Sequence, residues 1–334
     1  MTEKPALSSS ELGTIWLTYQ QKTMLHQMLD YFIERATDSE AKAIMTNLQK
    51  EVRQYIDQLT KIFEQDGTVV PMGYTKSDVH INAPALYDHD FDILFVRTMK
   101  SISGGMHALN LTMSYREDII KLYQELTIMT QKYYSQCTTF LLKRGSLVKP
   151  PHITMPIEVE FATNQDYLKG IKIIGDKRSL NAVEVAHLYS AIENNIVGAN
   201  LMMGFAQAAQ NDEVRKYFAR GKSLAKKLVK DLTQILAESE IPVPALEGGT
   251  VTSSVAPPFS DKIMMYCTSL LCSFSFGSNS FGTTFSLRND IPPVVALALK
   301  DIFEFASDGA KIMVKHGWLE EPPQMIDRKQ LINK

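Results

Sequence analysis

Asp66–Phe91, DGTVVPMGYTKSDVHINAPALYDHDF, is a polar, proline-punctuated passage between two long helical patterns. Its punctuation returns further along the chain. Val70-Pro71 and Ala83-Pro84-Ala85-Leu86-Tyr87-Asp88 are echoed by Val243-Pro244 and Ala256-Pro257-Pro258-Phe259-Ser260-Asp261. The offset in numbering is 173 at each point: Pro71 to Pro244, Pro84 to Pro257, Asp88 to Asp261. A single offset held across several points marks two copies of one unit, each built around a long loop.

Working outward, the same plan flanks each loop. The first helix of copy one opens at Ser8 with Glu11, the spacing of a capping box. Its apolar residues then run Leu12, Ile15, Trp16, Met24, Leu25, Met28 and Phe32 at helical steps. Thr37-Asp38-Ser39 is a short break, so the second helix turns back antiparallel and runs to Asp66-Gly67. The third helix is expected from about 88 to 114, with Gly104-Gly105 inside it. The fourth follows to Lys143-Arg144-Gly145, basic residues at the negative end of the helix dipole and glycine beyond.

Copy two opens with Asn181 and Glu184, again a capping box, and closes at Lys315-His316-Gly317. From Ser114-Tyr115-Arg116, matched to Ser286-Leu287-Arg288, the offset is 172. One residue is therefore expected to be missing near the third helix. Residues 1–149 and 180–334 read as the two bundles. Residues 150–179 read as a linker, with Ile157–Phe161 alternating like a short strand and a basic stretch from Lys169 to Arg178.

A short link, a long crossover and a short link make helices two and three parallel, the connectivity of ferritin-like bundles. The fold expected is all-α: two tandem ferritin-like four-helix bundles from an internal duplication.

Composition bounds the function classes. Of 334 residues, 45% are apolar and 22% charged, with a net charge of -2, so no global field favours nucleic acid or an anionic membrane. No apolar run is long enough to span a bilayer. Met1–Ser10 lacks the apolar centre of a secretory signal. The 16 methionines suit adaptable helix-packed cores. Cys137, Cys267 and Cys272 have no metal-type spacing and read as buried thiols. A cytoplasmic setting is the expectation. Neither a phosphate-binding Gly-x-x-x-x-Gly-Lys-Ser/Thr nor a Gly-x-Ser-x-Gly nucleophile motif occurs.

A di-metal bundle needs a Glu from each of two helices and Glu-x-x-His from each of the other two. Only Glu184-Val185-Ala186-His187 has that spacing, and it lies at a helix start, where capping accounts for the glutamate. A second set, His26, Asp30, Glu51 and His107, could converge in copy one and hold iron, manganese or zinc. Against that stands a surface His26–Asp30 pair, with Met24, Leu25 and Met28 turned inward. Arg215, Lys216, Arg220, Lys222, Lys226, Lys227 and Lys230 form a basic stripe, read as a solvated outer face. The aromatic run around Phe276 leaves room for a small-ligand pocket in copy two.

The paired proline loops and the helix-four endings, Lys143-Arg144-Gly145 to Pro150-Pro151 and His316-Gly317-Trp318-Leu319-Glu320-Glu321-Pro322-Pro323, resemble a family from spore-forming bacteria. That domain-of-unknown-function family is made of tandem ferritin-like bundles similar in shape to spore coat protein F. The resemblance spans nearly the whole chain. It implies the fold and a link to spores, and carries over no catalytic residue or cofactor. The function expected is a non-enzymatic structural or interaction protein, with an unknown protein partner or self-association. A metal-binding or oxidoreductase bundle and a small-ligand carrier are the alternatives.

Overall fold

The computed structural model describes residues 5–88, 90–170, 177–243 and 250–332. Pro244 of the repeated punctuation and residues 171–176 of the basic stretch lie outside them. Copy one supplies α1 (Ser9–Arg35), α2 (Ser39–Gln65), α3 (Phe91–Thr112) and α4 (Glu117–Arg144). Copy two supplies α5 (Ala182–Ala208), α6 (Asp212–Ala237), α7 (Asp261–Phe285) and α8 (Ile291–Lys315), followed by a short α9 (Arg328–Ile332). The protein is all-α. Among the described residues there is no strand, only two isolated bridges. The alternation at Ile157–Phe161 has no partner strand, and those residues lie extended and exposed.

Local chemistry sets the helix ends. The Ser8–Glu11 and Asn181–Glu184 capping boxes both form, and Asp38 caps α2. Gly145 ends α4 with a φ of 73°, a left-handed turn open to glycine at no steric cost. The third helix starts at Phe91, later than its sequence pattern suggests. Asp90 is itself left-handed there, with its carboxylate taken by Arg144 and Ser146.

Within each copy the first two helices pair, the last two pair, and α5 lies against α7 and α6 against α8. The long second connection is therefore the ferritin-like crossover. The two crossovers pair with each other in a two-fold manner. Val79 bridges Phe259 and Tyr87 bridges Val251. Ser260 N–H donates to the Asp78 carbonyl at 2.8 Å, and Asp88 N–H donates to the Thr250 carbonyl at 3.1 Å. The side chains follow suit: Ser260 Oγ donates to Asp78, and Thr250 Oγ1 donates to Asp88. The matched positions, 78 with 250 and 88 with 260, carry the offset of 172. The left-handed residues Gly67 and Glu240 still carry the offset of 173. The missing residue thus falls inside the crossover, between Gly67 and Asp78, rather than at the third helix.

A second matched feature ties the bundle ends. Glu11 accepts from the backbone N–H groups of Tyr115 and Arg116 at 2.8 and 2.6 Å; Glu184 accepts from those of Leu287 and Arg288 at 3.1 and 2.9 Å. Each carboxylate satisfies the free donors where the last two helices join. Burial works against the Glu11 charge, but Ser8 and these N–H groups hold its pKa at about 2.

One apolar core runs through both copies and both crossovers, and a smaller cluster closes the outer end of copy two. Phe259, fully buried, packs against Tyr31, Phe32 and Phe205 from the two bundles. Burying such a ring stabilises by about 2–3 kcal/mol, so the crossover also fastens copy to copy.

Candidate functional site

The site that stands out is polar and lies inside copy one. Helix α1 is buried nearly all round, so Gln21, Lys22 and Thr23 cannot reach water. Lys22 Nζ lies 3.0 Å from His107 Nε2, and His107 Nδ1 lies 3.2 Å from Thr130 Oγ1. Gln21 Nε2 donates to Ser103 Oγ at 3.2 Å. Lys100 is buried beside them, and its Nζ has no hydrogen-bond partner. Burial lowers the Lys22 pKa far below the usual lysine value, and the neighbouring Lys100 adds to this. Burial brings Lys100 down to about 8, opposed by the fields of Cys137 and Glu51. His107 is pushed down by burial, then by Lys22 and Lys100, and stays neutral. The chemistry available is that of two desolvated amines and a neutral imidazole.

The same place in copy two is emptier. At the offset of 173, Lys22 and Glu51 correspond to Asn195 and Leu224. At the offset of 172, Lys100, Ser103, Thr130 and Tyr133 correspond to Cys272, Ser275, Ile302 and Phe305. All six counterparts line one cavity of about 70 Å³. That volume is too small for an ordinary organic ligand. Duplication thus kept a core position that copy one fills with amines and copy two leaves partly unfilled.

The four residues read from sequence as a metal set have separate partners. Asp30 accepts from Gln49 Nε2 at 2.7 Å, and the same amide reaches the His26 carbonyl at 3.2 Å. Met24, Leu25 and Met28 are buried, while His26 and Asp30 are half-buried beside α2. Glu51 accepts from Tyr133 OH at 2.8 Å and pairs with Lys132. His107 is held by Lys22 and Thr130. Among the described residues, no three His, Cys, Asp or Glu side chains group to hold a metal ion. Metal coordination needs neutral or anionic donors free of cationic partners, and these four do not fit that need.

The remaining expectations also find places. Glu184 caps α5 and pairs with Arg178, while His187 stacks on Phe285. The basic stripe on α6 is exposed, with Arg220 paired to Asp308 and Lys227 to Asp301 on α8. Phe276 is 41% exposed and lies outside the small cavity of copy two. Residue pattern alone does not single out Lys22 and Lys100. The signal that finds them is the copy-to-copy match, which sets each lysine against a core residue.

No helix among the described residues is long and apolar enough to cross a membrane. No curated protein sequence matches the chain. A crystal structure of a candidate spore coat protein from Bacillus halodurans C-125 is similar at 16% identity and a TM-score of 0.41, covering 45% of this chain and 98% of that one. The family model described as "Protein of unknown function (DUF3231)" matches in two tandem segments, residues 1–159 and 169–331, and the chain belongs to that family.

Proposed function

We propose that the chain is a non-enzymatic structural or interaction protein, on a ferritin-like scaffold without a di-metal centre, working in the cytoplasm or in association with the spore. The observation carrying this reading is the pair of buried amines, Lys22 and Lys100, inside copy one. A di-metal centre is stabilised by carboxylates around its cations. Two lysines in that bundle interior supply the opposite field. The setting draws its support from the resemblance of the loops and helix endings to the spore-former family. A protein surface, including that of another copy, suits the near-neutral net charge of -2 better than nucleic acid does.

The test is elemental analysis of the full chain, purified without chelator and then incubated with iron(II), manganese(II) or zinc(II). The expected result is no stoichiometric metal. Retention of a full equivalent, lost in His107→Ala or His26→Ala, would reinstate the metal-binding reading at His26, Asp30, Glu51 and His107. Fractionation of sporulating host cells tests the setting. Recovery of the chain only from vegetative cells would remove the spore from the proposal.

A further inference from the structure

The pseudo-two-fold axis creates two equivalent clefts between the bundles, and they are filled differently. In one, Arg97 of α3 reaches across to Glu193 of α5. The same guanidinium donates to Tyr134 OH at 2.9 Å and to Thr138 Oγ1 at 3.0 Å. Those side chains plug the cleft. In its twin, the matched positions are Ser269 for Arg97, Gln20 for Glu193, Ala306 for Tyr134 and Ala310 for Thr138. The first, third and fourth matches use the offset of 172, and Gln20 with Glu193 uses that of 173, as their places before and after the crossover require. All four line a single cavity of about 840 Å³.

The open cleft has a definite chemistry. Its walls are mainly apolar, formed by α1, α3, α7 and α8, and no Lys, Arg or His lines it. Glu320 is its one carboxylate, fixed at the rim by the N–H groups of Met72 and Gly73 at 2.9 and 2.7 Å. Two lining residues are more than nine-tenths buried and hold donors without partners, Trp16 Nε1 and Gln20 Nε2. A buried donor left unpaired costs about 1–3 kcal/mol. In the twin cleft the residue matching Gln20 is satisfied by Arg97. Here the partner has to come from outside the chain, and it has to be an acceptor.

We propose that this cleft binds an uncharged, lipid-like molecule carrying a carbonyl oxygen, as in a long-chain ester or a ketone, with Trp16 and Gln20 as donors to that oxygen. The volume lies within the range of small-molecule sites. The absence of a lining cation and the fixed charge of Glu320 disfavour a carboxylate head group. This inference does not depend on the structural role proposed above, which concerns the interior of copy one.

The test uses the full chain with N-phenyl-1-naphthylamine as a neutral fluorescent reporter. Methyl hexadecanoate, hexadecanoate and hexadecylamine then compete for it. The ester should displace the reporter at concentrations about ten-fold lower than either charged competitor, the ratio expected for one satisfied buried donor. Gln20→Met keeps the volume and removes the donor. It should weaken the ester while leaving the reporter's own affinity unchanged. A quadruple variant copying the plugged cleft, Gln20→Glu, Ser269→Arg, Ala306→Tyr and Ala310→Thr, should lose reporter binding while keeping its helical circular dichroism. Three results would overturn the proposal: no reporter binding to the wild type, a charged competitor ahead of the ester, or an ester affinity unmoved by Gln20→Met. Sedimentation showing a dimer that the quadruple variant abolishes would also overturn it, making the cleft a protein interface.

Discussion

Lys22 Nζ lies 3.0 Å from His107 Nε2, with both side chains closed off from solvent. Two amines and an imidazole in one interior are an electrostatic burden, because each group disfavours protonation of the others. Copy two removes the burden at the same positions with Asn195, Cys272 and Asn279. Copy one has kept it, and the consequence is measurable as a pH dependence of stability.

Lys100 shows the sign most directly. Its folded pKa is about 8, against an ordinary value of 10.5. Between those values the unfolded chain binds more protons than the folded one, so stability rises with pH through the window. It is fully present above 10.5 and lost as pH falls through about 8. The groups facing Lys100 are Lys22, His107, Cys137 and Glu51. Lys100→Met should stabilise the fold at pH 7 by about 3 kcal/mol, the shift converted at 1.36 kcal/mol per unit. Above pH 10.5 it should gain little. Urea midpoints at the two pH values decide it, and a lower midpoint for the variant at pH 7 would contradict the account.

The three cysteines should behave as inert packing. Burial raises the Cys137 and Cys272 thiols to about 12 and Cys267 higher still. The thiolate is the reactive form, so at pH 8 almost none is present in the folded chain. A disulfide-exchange reagent should label no cysteine in the native state and all three in urea. Rapid native labelling of any one of them would show an access route absent from this fold.

Helix ends and connectivity are legible in the sequence because both rest on local or periodic signals. Ser8 with Glu11 specifies a cap within four residues, and the repeated prolines fix the length of the crossover. The interior site rests on something sequence does not encode locally, the rotation of α1 against α3 and α4. Because α1 is buried on nearly every side, its apolar residues define no single inward face, and Lys22 carries no mark of its depth. The missing residue sits away from its expected place for a related reason. Prolines in a loop tolerate a shift of one, whereas the paired hydrogen bonds of Asp78 with Ser260 and Asp88 with Thr250 do not.

That displaced register leaves a strained residue. Glu240, exposed, has a φ of 57°, at the position where copy one has Gly67 with a φ of 66°. A left-handed conformation costs a residue with a Cβ about 1–2 kcal/mol. Glu240→Gly should therefore stabilise copy two by about 1 kcal/mol, less the added freedom of the unfolded chain. Gly67→Ala should destabilise copy one by a similar amount. Thermal unfolding of the two variants checks both signs, and a destabilising Glu240→Gly would mean that its side chain contributes a contact outweighing the strain.

The contact between copies should be the least tolerant of change. Tyr87 of the first crossover donates its hydroxyl to the Leu201 carbonyl at 2.9 Å. Its ring lies over Gly204, where a Cβ would stand 2.4 Å from the hydroxyl oxygen and 2.5 Å from the ring carbon bearing it. The ring cannot retreat, because it stacks on Phe91 at a centroid distance of 4.0 Å. Copy one solves the matching problem in reverse: Tyr31 occupies the position of Gly204, and Phe259 packs on it at 5.1 Å. Gly204→Ala should thus cost about 2–3 kcal/mol by overpacking. Combined with Tyr87→Leu, which vacates the ring, the alanine should cost far less than it does alone. Such coupling is the signature of direct contact in a double-mutant cycle. Additive effects would show that Tyr87 and Gly204 do not meet in solution, and that the bundles are held together elsewhere.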